Sequence, residues 1–270
     1  MTLRNYHTHT VWCDGKHTVD EMAQAAVSQG LQALGFSGHS YTAFDKSCCM
    51  ALADIPRYVA GVQAARTRYQ GQLEVYLGVE DDLLGTRPDF PRDYTIGSVH
   101  CLYRSGAYHV LDYKPAVLLR AVETAYGGDF YRLTADYFEA LARLPDVTGC
   151  EIVGHFDLVT KFNEGGRLFD EDDPRYWKPA LEVLEALCRR ELIFEINTGA
   201  MSRGYRTAPY PSRRFLEAIR AFGGAVQLSS DCHSAGTLSA YFPEAAALAS
   251  SCGFRTVRVL TPGGWQDEAL

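Results

Sequence analysis

The sequence lacks the features that place a chain in a membrane or on a nucleic acid. No segment offers about 18 uninterrupted apolar residues, the length that a membrane-spanning helix needs. The first residues, MTLRNYHTH, contain no charged region followed by an apolar core and a cleavage site. The net charge of −7 argues against a nucleic-acid or anionic-membrane partner. We therefore expect a cytoplasmic protein that acts on a small molecule, and the sequence leaves its oligomeric state open.

The cysteines lack the spacing of a thiolate metal site or a disulfide framework. The eight cysteines include no C-x-x-C pair, so we interpret most of them as reduced, buried side chains. The rest of the composition, 47% hydrophobic and 22% charged, is typical of a globular protein. A length of 270 residues fits one large α/β domain or two small ones. The absence of a linker or an internal repeat favours a single domain over residues 1–270.

Short β-rich runs alternate with amphipathic helical stretches along the chain. The first helix is well defined, because Thr18 and Glu21 match a capping box and Gly30 lies where a C-terminal cap is expected. A possible extra strand covers Thr256–Leu260. The other predicted strands are Leu3–His7, Leu34–Ser37, Leu73–Val79, Tyr94–Val99, Glu151–Gly154, Leu192–Ile196 and Val226–Ser230.

Histidines and carboxylates follow these seven runs at their carboxyl ends. Six of the eight histidines lie at a predicted strand end or just past it. In a parallel βα barrel the carboxyl ends of all strands lie on the same face, so side chains far apart in sequence meet in one cleft. The pattern therefore predicts one site on a βα barrel. Its candidate residues are His7, His9, His39, Glu80, His100, His155, Glu195, Asp231 and His233.

The spacing of these residues favours a catalytic metal site. His7 and His9 are two apart on an extended segment, so both point to one side while Thr8 points away. Mixed imidazole and carboxylate ligands suit Zn, Mn or Fe, and the lack of cysteine ligands argues against a closed structural zinc site. The candidates exceed what one ion can use. We therefore expect two or three divalent transition metals that share Glu80 as a bridging ligand, a set suited to phosphate-ester hydrolysis.

The motifs resemble those of the PHP (polymerase and histidinol phosphatase) superfamily. HTHT, CDG, GHS, GVE, GSVH, GHFD and SDCH occur in this order across the whole chain. Within the superfamily, IGSVH, GHFDLVTKF and FEINTGA are most similar to the monofunctional histidinol-phosphate phosphatases. The resemblance implies a distorted TIM-like (β/α)7 barrel with a trinuclear metal centre at the strand C-termini. It also implies hydrolysis of histidinol phosphate, a phosphorylated amino alcohol, in histidine biosynthesis.

The resemblance also implies a set of ligands for each ion. The first ion would be held by His7, His9, Glu80 and Asp231. The second would be held by Glu80, His100 and His155. The third would be held by His39, His233 and either Asp14 or His17. Asp14 is preferred because it matches the aspartate of the family's HTHTxxxDG pattern, whereas His17 fits a supporting or helix-start position.

Further residues are implied in substrate binding and catalysis. Lys161 and either Arg203 or Arg206 lie on loops that are expected to rim the cleft and bind phosphate, although each could instead be a solvated loop charge. Family members often carry arginine where Lys161 stands. In the family, Glu195 resembles a residue that contacts the substrate amine. Asp231 or His233 is the expected proton donor to the leaving group.

Three other functions remain open at this point. The nearest is a phosphoesterase of the same superfamily that acts on another metabolite, a nucleotide or an oligonucleotide. A non-catalytic metal-binding module is disfavoured, since every ligand position that can be aligned holds a competent residue. A metal-dependent sugar isomerase would need a lysine or histidine poised for proton transfer and would lack the SDCH ending.

Overall fold

Seven parallel strands and the helices between them form the framework of the chain. The computed structural model describes residues 2–87 and 89–270. Within these residues the strands are β1 (Arg4–Asn5), β2 (Ala33–Phe36), β3 (Glu74–Asp82), β4 (Tyr94–Ser98), β5 (Cys101–Arg104), β6 (Ala107–Val110), β7 (Ile152–Val153), β8 (Ile193–Asn197), β9 (Ala225–Ser229), β10 (Thr256–Thr261) and β11 (Gly264–Ala269). The helices are α1 (Val19–Ser28), α2 (Ile55–Arg68), α3 (Pro115–Tyr126), α4 (Phe130–Ala142), α5 (Leu144–Thr148), α6 (Pro174–Arg189), α7 (Gly199–Ser202), α8 (Arg213–Ala221) and α9 (Phe242–Ser251).

The strand order shows a barrel that closes through its first and last strands. The sheet runs β1-β2-β3-β4-β7-β8-β9 with every pairing parallel. Just past β1 and β9, Thr8 and Cys232 form a parallel bridge. The His9 N–H donates to the Cys232 carbonyl at 2.9 Å, and the Cys232 N–H donates to the His7 carbonyl at 3.2 Å. The predicted distorted (β/α)7 barrel is confirmed, and its closing bridge lies between the first and last motifs.

The predicted strands and the first helix agree with the structure, with two additions. Thr18 caps α1 and exchanges the expected hydrogen bonds with Glu21. The extra strand exists as β10, but it pairs antiparallel with β11 instead of joining the barrel. The hydroxyl of Tyr6 ties this hairpin to the barrel, donating to the Leu260 carbonyl at 2.9 Å and accepting from its N–H at 3.0 Å. The β5–β6 hairpin was not predicted.

Among the helices of the described residues, none is long and apolar enough to cross a membrane.

Glycine in β3 makes room for an aromatic ring in the barrel. Gly78 pairs with Tyr94, and a Cβ at Gly78 would lie 2.3 Å from Cζ of that tyrosine. Tyr94 is buried, and its hydroxyl donates to the Tyr6 carbonyl. Gly78, Glu80 and Asp82 are every second residue and therefore share one face of the strand. The Tyr94 ring thus lies on the face that also carries Glu80.

Replacing Gly78 by alanine is therefore expected to lower the free energy of unfolding. Overpacking a filled core costs about 1–3 kcal/mol, and the tyrosine ring leaves the added methyl no room. Urea titration of Gly78→Ala measures the loss. Gly61→Ala in α2 is the control, because a Cβ there meets its nearest neighbour only at 3.8 Å. Equal stability of the two variants would contradict this account of the packing.

Candidate metal centre

Glu80 lies at the centre of the predicted site, and one of its oxygens faces three histidines. Its Oε2 is 3.0 Å from His7 Nε2, 3.0 Å from His39 Nδ1 and 3.4 Å from His9 Nε2. Glu80 and His7 are almost wholly buried. The carboxyl end of β3 thus brings a carboxylate oxygen to imidazoles from the β1 and β2 loops.

The other Glu80 oxygen faces a second pair of histidines. Its Oε1 is 3.0 Å from His155 Nε2 and 3.3 Å from His100 Nε2. The Ser98 hydroxyl at the end of β4 donates to the same oxygen at 2.6 Å. One carboxylate therefore stands between two histidine groups, the geometry expected of a bridging ligand.

A third group forms around Asp14 at the outer side of the cluster. Asp14 Oδ2 is 3.2 Å from His233 Nε2, and its Oδ1 is 3.7 Å from His9 Nδ1 and 3.8 Å from His39 Nε2. These four residues each offer a ligand atom within 4.8 Å of the others. Two further groups meet the same criterion, one of His7, His9 and Glu80 and one of His39, Glu80 and His100.

Asp231 joins the first histidines to a cation. Its Oδ1 is 3.3 Å from His9 Nε2 and 3.7 Å from His7 Nε2. Its Oδ2 accepts from Arg203 Nη2 at 3.0 Å. One oxygen of Asp231 thus faces the two histidines, while the other accepts a hydrogen bond from the arginine.

His17 lies outside the three groups of the described residues. Its Nδ1 accepts from the Ala235 N–H at 3.2 Å, and its carbonyl accepts from the Val11 N–H at 3.0 Å. His17 therefore ties the first loop to the loop after His233. The geometry favours Asp14 over His17 as the third-group carboxylate, and the ligand role of Asp14 stays a prediction.

The buried donor atoms test whether these residues fit a metal ion. Nε2 of His7, Nε2 of His9 and Oε2 of Glu80 are buried, and none of them has a hydrogen-bond partner among the described residues. Leaving such atoms unpaired in the interior is costly, and binding a cation removes that cost. Imidazole nitrogens and carboxylate oxygens are ligands that divalent transition metals accept. The cluster is thus a site for divalent metal ions.

Opposite charges keep the two central carboxylates ionised. Burial raises the pKa of Glu80, but His7 and His39 outweigh it and hold the pKa well below its ordinary value. Burial likewise opposes ionisation of Asp231, and Arg203 and His7 hold its pKa well below the usual range. Both groups are therefore carboxylates, the form that binds a metal ion.

The histidines of the first motif differ in their proton affinity. Burial, with the charge of His233 next, lowers the pKa of His9 to about 3. Burial also lowers the pKa of His7, but Glu195 and Glu80 outweigh it and raise the pKa well above its ordinary value. His9 is thus neutral, whereas His7 carries a proton that a metal ion bound at its ring would displace.

Backbone strain occurs at two of the candidate ligand positions. The φ angles are 20° for His155 and 46° for Asp231, in a region that non-glycine residues rarely adopt. The His155 N–H donates to Glu195 Oε1 at 2.6 Å, which holds this conformation. At the preceding Gly154, a Cβ would lie 2.4 Å from Ser98 Oγ. Strain of this kind persists where the surroundings hold it, and it is common at functional sites.

Glu195 does not face the open cleft, so the expectation that it contacts a substrate amine is not met. Its side chain is fully buried. Oε2 is 2.8 Å from His7 Nδ1 and accepts from Ser229 Oγ at 2.6 Å. Oε1 accepts from the His155 N–H at 2.6 Å and from Asn197 Nδ2 at 2.8 Å. These four contacts occupy both oxygens and place Glu195 behind His7.

A cavity opens above the cluster. Its volume is about 900 Å³, including the part that is open to solvent. Its floor contains Glu80 and most of the ligand-type residues, and its walls include Phe44, Tyr113, Tyr205 and Leu158. The mixture of a metal-binding floor and aromatic walls suits a small polar molecule that carries a ring.

Two of the three predicted phosphate-binding cations line this cavity. Lys161 Nζ donates to the Asp112 carbonyl at 2.6 Å and lies 3.2 Å from Asp112 Oδ2. Its ammonium also lies 5.1 Å from the centre of the Tyr205 ring. Arg203 donates to the Asp231 carbonyl at 2.9 Å through Nη1. Sequence reasoning missed Asp112 because it did not predict the β5–β6 hairpin before it, although the Ser105-Gly106 dipeptide, with positive φ at both residues, is a hairpin-turn signal.

Arg206 is the exception, and the expectation that it binds phosphate is not met. Its Nη1 donates to the Thr160 carbonyl at 2.8 Å. The same side chain forms ion pairs with Glu164 at 3.2 Å and Glu171 at 3.3 Å. Arg206 is absent from the cavity lining, and these contacts hold the loop after His155 in place.

The chain belongs to the PHP domain family, which matches residues 5–199. It is 32% identical to a "probable histidinol-phosphatase" of Deinococcus radiodurans over 94% of this chain and 95% of that protein. It is 26% identical to the histidinol-phosphatase of Bacillus subtilis over 87% of this chain and 95% of that protein. The crystal structure of histidinol phosphate phosphatase from Lactococcus lactis, complexed with zinc, L-histidinol and phosphate, has the same fold. It superposes with a TM-score of 0.71 at 17% identity, over 98% of this chain and 99% of that chain.

Proposed function

We propose that this chain is a metal-dependent phosphatase that hydrolyses L-histidinol phosphate to L-histidinol and inorganic phosphate. The observation that carries the proposal is the arrangement around Glu80, whose two oxygens face separate histidine groups on the floor of an open cavity. The relatives from Deinococcus radiodurans and Bacillus subtilis are named for this activity, and this chain aligns with 95% of each of them. The chain is then a single phosphatase domain.

The metal centre holds two or three ions of Zn, Mn or Fe in this proposal. Such ions polarise phosphoryl oxygens and make water nucleophilic at neutral pH. The chain supplies their ligands and fixes where the phosphate lies. The ligands that we assign are His7, His9, Asp14, His39, Glu80, His100, His155, Asp231 and His233.

The cavity walls match the two ends of the substrate. Lys161 and Arg203 are the cations for the phosphate, since each lines the cavity. The substrate amine requires an acidic partner, and Asp45 and Asp112 line the same cavity. Lys161 and His100 hold the pKa of Asp112 below its ordinary value against the effect of burial. The cavity wall therefore offers the ionised carboxylate of Asp112 to a cationic amine.

Of the two predicted proton donors to the leaving alkoxide, Asp231 does not fit that role. Arg203 and His7 keep Asp231 as a carboxylate, which has no proton to donate. His233 lines the cavity, and 23% of its side chain is exposed. Since His233 is also assigned as a metal ligand, its coordinating nitrogen carries no proton, so water that enters the open cavity is the donor in this proposal.

Replacing Lys161 by alanine is expected to raise the KM for L-histidinol phosphate by about 10–100-fold. The estimate corresponds to the loss of one charge-assisted hydrogen bond of roughly 1.5–3 kcal/mol. Steady-state kinetics on Lys161→Ala and Lys161→Arg measure the effect, and arginine is expected to restore most of the affinity. Lys178→Ala, on α6, is the control. An unchanged KM in Lys161→Ala would remove this residue from the phosphate site.

A substrate comparison tests the proposed function. Purified protein is supplied with L-histidinol phosphate, nucleoside monophosphates, short DNA and phosphorylated amino alcohols without an imidazole. Preferential phosphate release from L-histidinol phosphate is the expected result. A preference for DNA or for a nucleotide would reassign the chain to another branch of the family.

A further inference from the structure

Two buried carboxylates lie behind the metal-facing histidines, one on each side of Glu80. We infer that Glu195 and Asp82 are positioning residues that fix the rings of His7 and His100, and that each sets the affinity of a different metal ion. The inference rests on the proposed function only for the metal centre, because it does not depend on which phosphate ester is hydrolysed.

Glu195 supports the side of the cluster at Glu80 Oε2. Its own Oε2 lies 2.8 Å from His7 Nδ1, while the opposite ring nitrogen of His7 lies 3.0 Å from Glu80 Oε2. Its Oε1 binds the strained main chain of His155 and the side chain of Asn197. Asn197 Nδ2 in turn lies 3.4 Å from Asp231 Oδ2. One carboxylate thus connects the ring of one ligand, the backbone of a second and, through an amide, the side chain of a third.

Asp82 has the equivalent position on the Oε1 side. Its Oδ2 lies 3.2 Å from His100 Nδ1 and also accepts from the His100 N–H at 2.9 Å. Its Oδ1 accepts from the Leu84 N–H at 2.7 Å, and only 4% of the residue is exposed. The opposite nitrogen of His100 lies 3.3 Å from Glu80 Oε1. No sequence motif assigned Asp82 a role.

The pairing determines which nitrogen of each ring is available to a metal. A carboxylate that accepts from Nδ1–H leaves the Nε2 lone pair free to coordinate. His155 differs, because its buried Nδ1 has no hydrogen-bond partner among the described residues. His39 differs in orientation, because its Nδ1 faces Glu80 and its Nε2 faces Asp14. His7 and His100 are thus distinguished from these two histidines by a carboxylate at Nδ1 that stands behind the ring, on the side away from Glu80.

Removing either carboxylate charge is therefore expected to lower the affinity for one metal ion and leave the affinity for the other unchanged. Substitution of such a supporting group lowers metal affinity by about 10–100-fold. His7 and His100 face different oxygens of Glu80. Glu195→Gln is therefore expected to weaken metal binding on the Oε2 side, and Asp82→Asn is expected to weaken it on the Oε1 side. The double variant is expected to lose both.

The test is equilibrium dialysis of the full chain against chelator-buffered Mn²⁺ or Zn²⁺, with bound metal counted by mass spectrometry. Asp81→Asn is the matched control for Asp82→Asn, since it removes the next carboxylate on the same strand, from the opposite face. Glu191→Gln, which is exposed just before β8, is the control for Glu195→Gln. The expected result is a loss of about one ion per single variant at a chelator setting where both controls retain the full complement.

Three outcomes would overturn the inference: single variants with the metal content of the parent, equal losses in the controls, or a double variant no worse than either single one. If Glu195→Gln does not fold, Ser229→Ala and Asp82→Asn still test it, because Ser229 Oγ donates to Glu195 Oε2 at 2.6 Å. Far-UV circular dichroism of the metal-free variants separates a folding defect from a binding defect. Failure of the substrate comparison would leave these metal measurements unaffected, so the two proposals fail separately.

Discussion

Replacing Glu80 by glutamine is expected to lower the rate of phosphate release from L-histidinol phosphate by at least about 10³-fold, a loss at the upper end of that seen on removing one oxyanion donor. The physical reason is that Glu80 serves both sides of the cluster. Oε2 faces His7, His9 and His39, and Oε1 faces the remaining pair. Glutamine keeps the shape but presents an amide N–H₂ to one of these sides. That side then loses its shared anionic ligand.

The measurement is steady-state phosphate release together with metal content. Glu74→Gln is the matched control, because Glu74 begins the same strand β3 at the end away from the site. There it forms an ion pair with Arg4. The control is expected to retain both activity and metal. Glu80→Gln with normal turnover and a full metal complement would show that Glu80 is not a shared ligand.

Removing the metals is expected to lower the thermal unfolding midpoint by at least about 10 °C. An ion present at about 1,000 times its Kd contributes about 4 kcal/mol to folding, and each kcal/mol corresponds to about 2–4 °C in a chain approaching this size. The Nε2 atoms of His7 and His9 and the Oε2 of Glu80 are buried without a hydrogen-bond partner among the described residues, so their burial costs more once the ions are gone. Calorimetry before and after chelation, and after metal is restored, measures the shift.

The Glu80→Gln variant provides the control for this shift. Since it is expected to hold less metal, its midpoint should respond less to the chelator than that of the parent chain. An unchanged midpoint in the parent, with metal loss verified by mass spectrometry, would mean that the cluster does not couple metal binding to folding.

The sequence predicted most of the barrel and the inner part of the site, because both follow from short-range patterns. Parallel strands place their carboxyl ends on one face, so His39, Glu80 and His155 could be grouped before any coordinates were known. Thr8 pointing away from the site follows from strand alternation, and its hydroxyl indeed donates to the Gly35 carbonyl at 2.7 Å. These inferences needed only periodicity and strand direction.

The remaining residues depend on contacts that no short-range pattern contains. Glu195 ends a strand as the ligands do, but Ser229 and the other donors around it decide that it supports a ring instead of lining the cavity. Arg206 lies three residues from Arg203, yet two glutamates divert it from the cleft. Asp112 lines the cavity, but it lies in a segment whose sequence is typical of an ordinary loop.

The most direct test of the account is phosphate release from L-histidinol phosphate by protein that has been metal-depleted and then reconstituted with Mn, Zn or Fe. We expect no release from the depleted protein, recovery on reconstitution, and no recovery in His9→Ala or Asp231→Ala. Release that persists without metal, or that survives both substitutions, would contradict a hydrolytic centre at Glu80. Reconstituted protein that binds metal but leaves histidinol phosphate intact would contradict the substrate assignment alone.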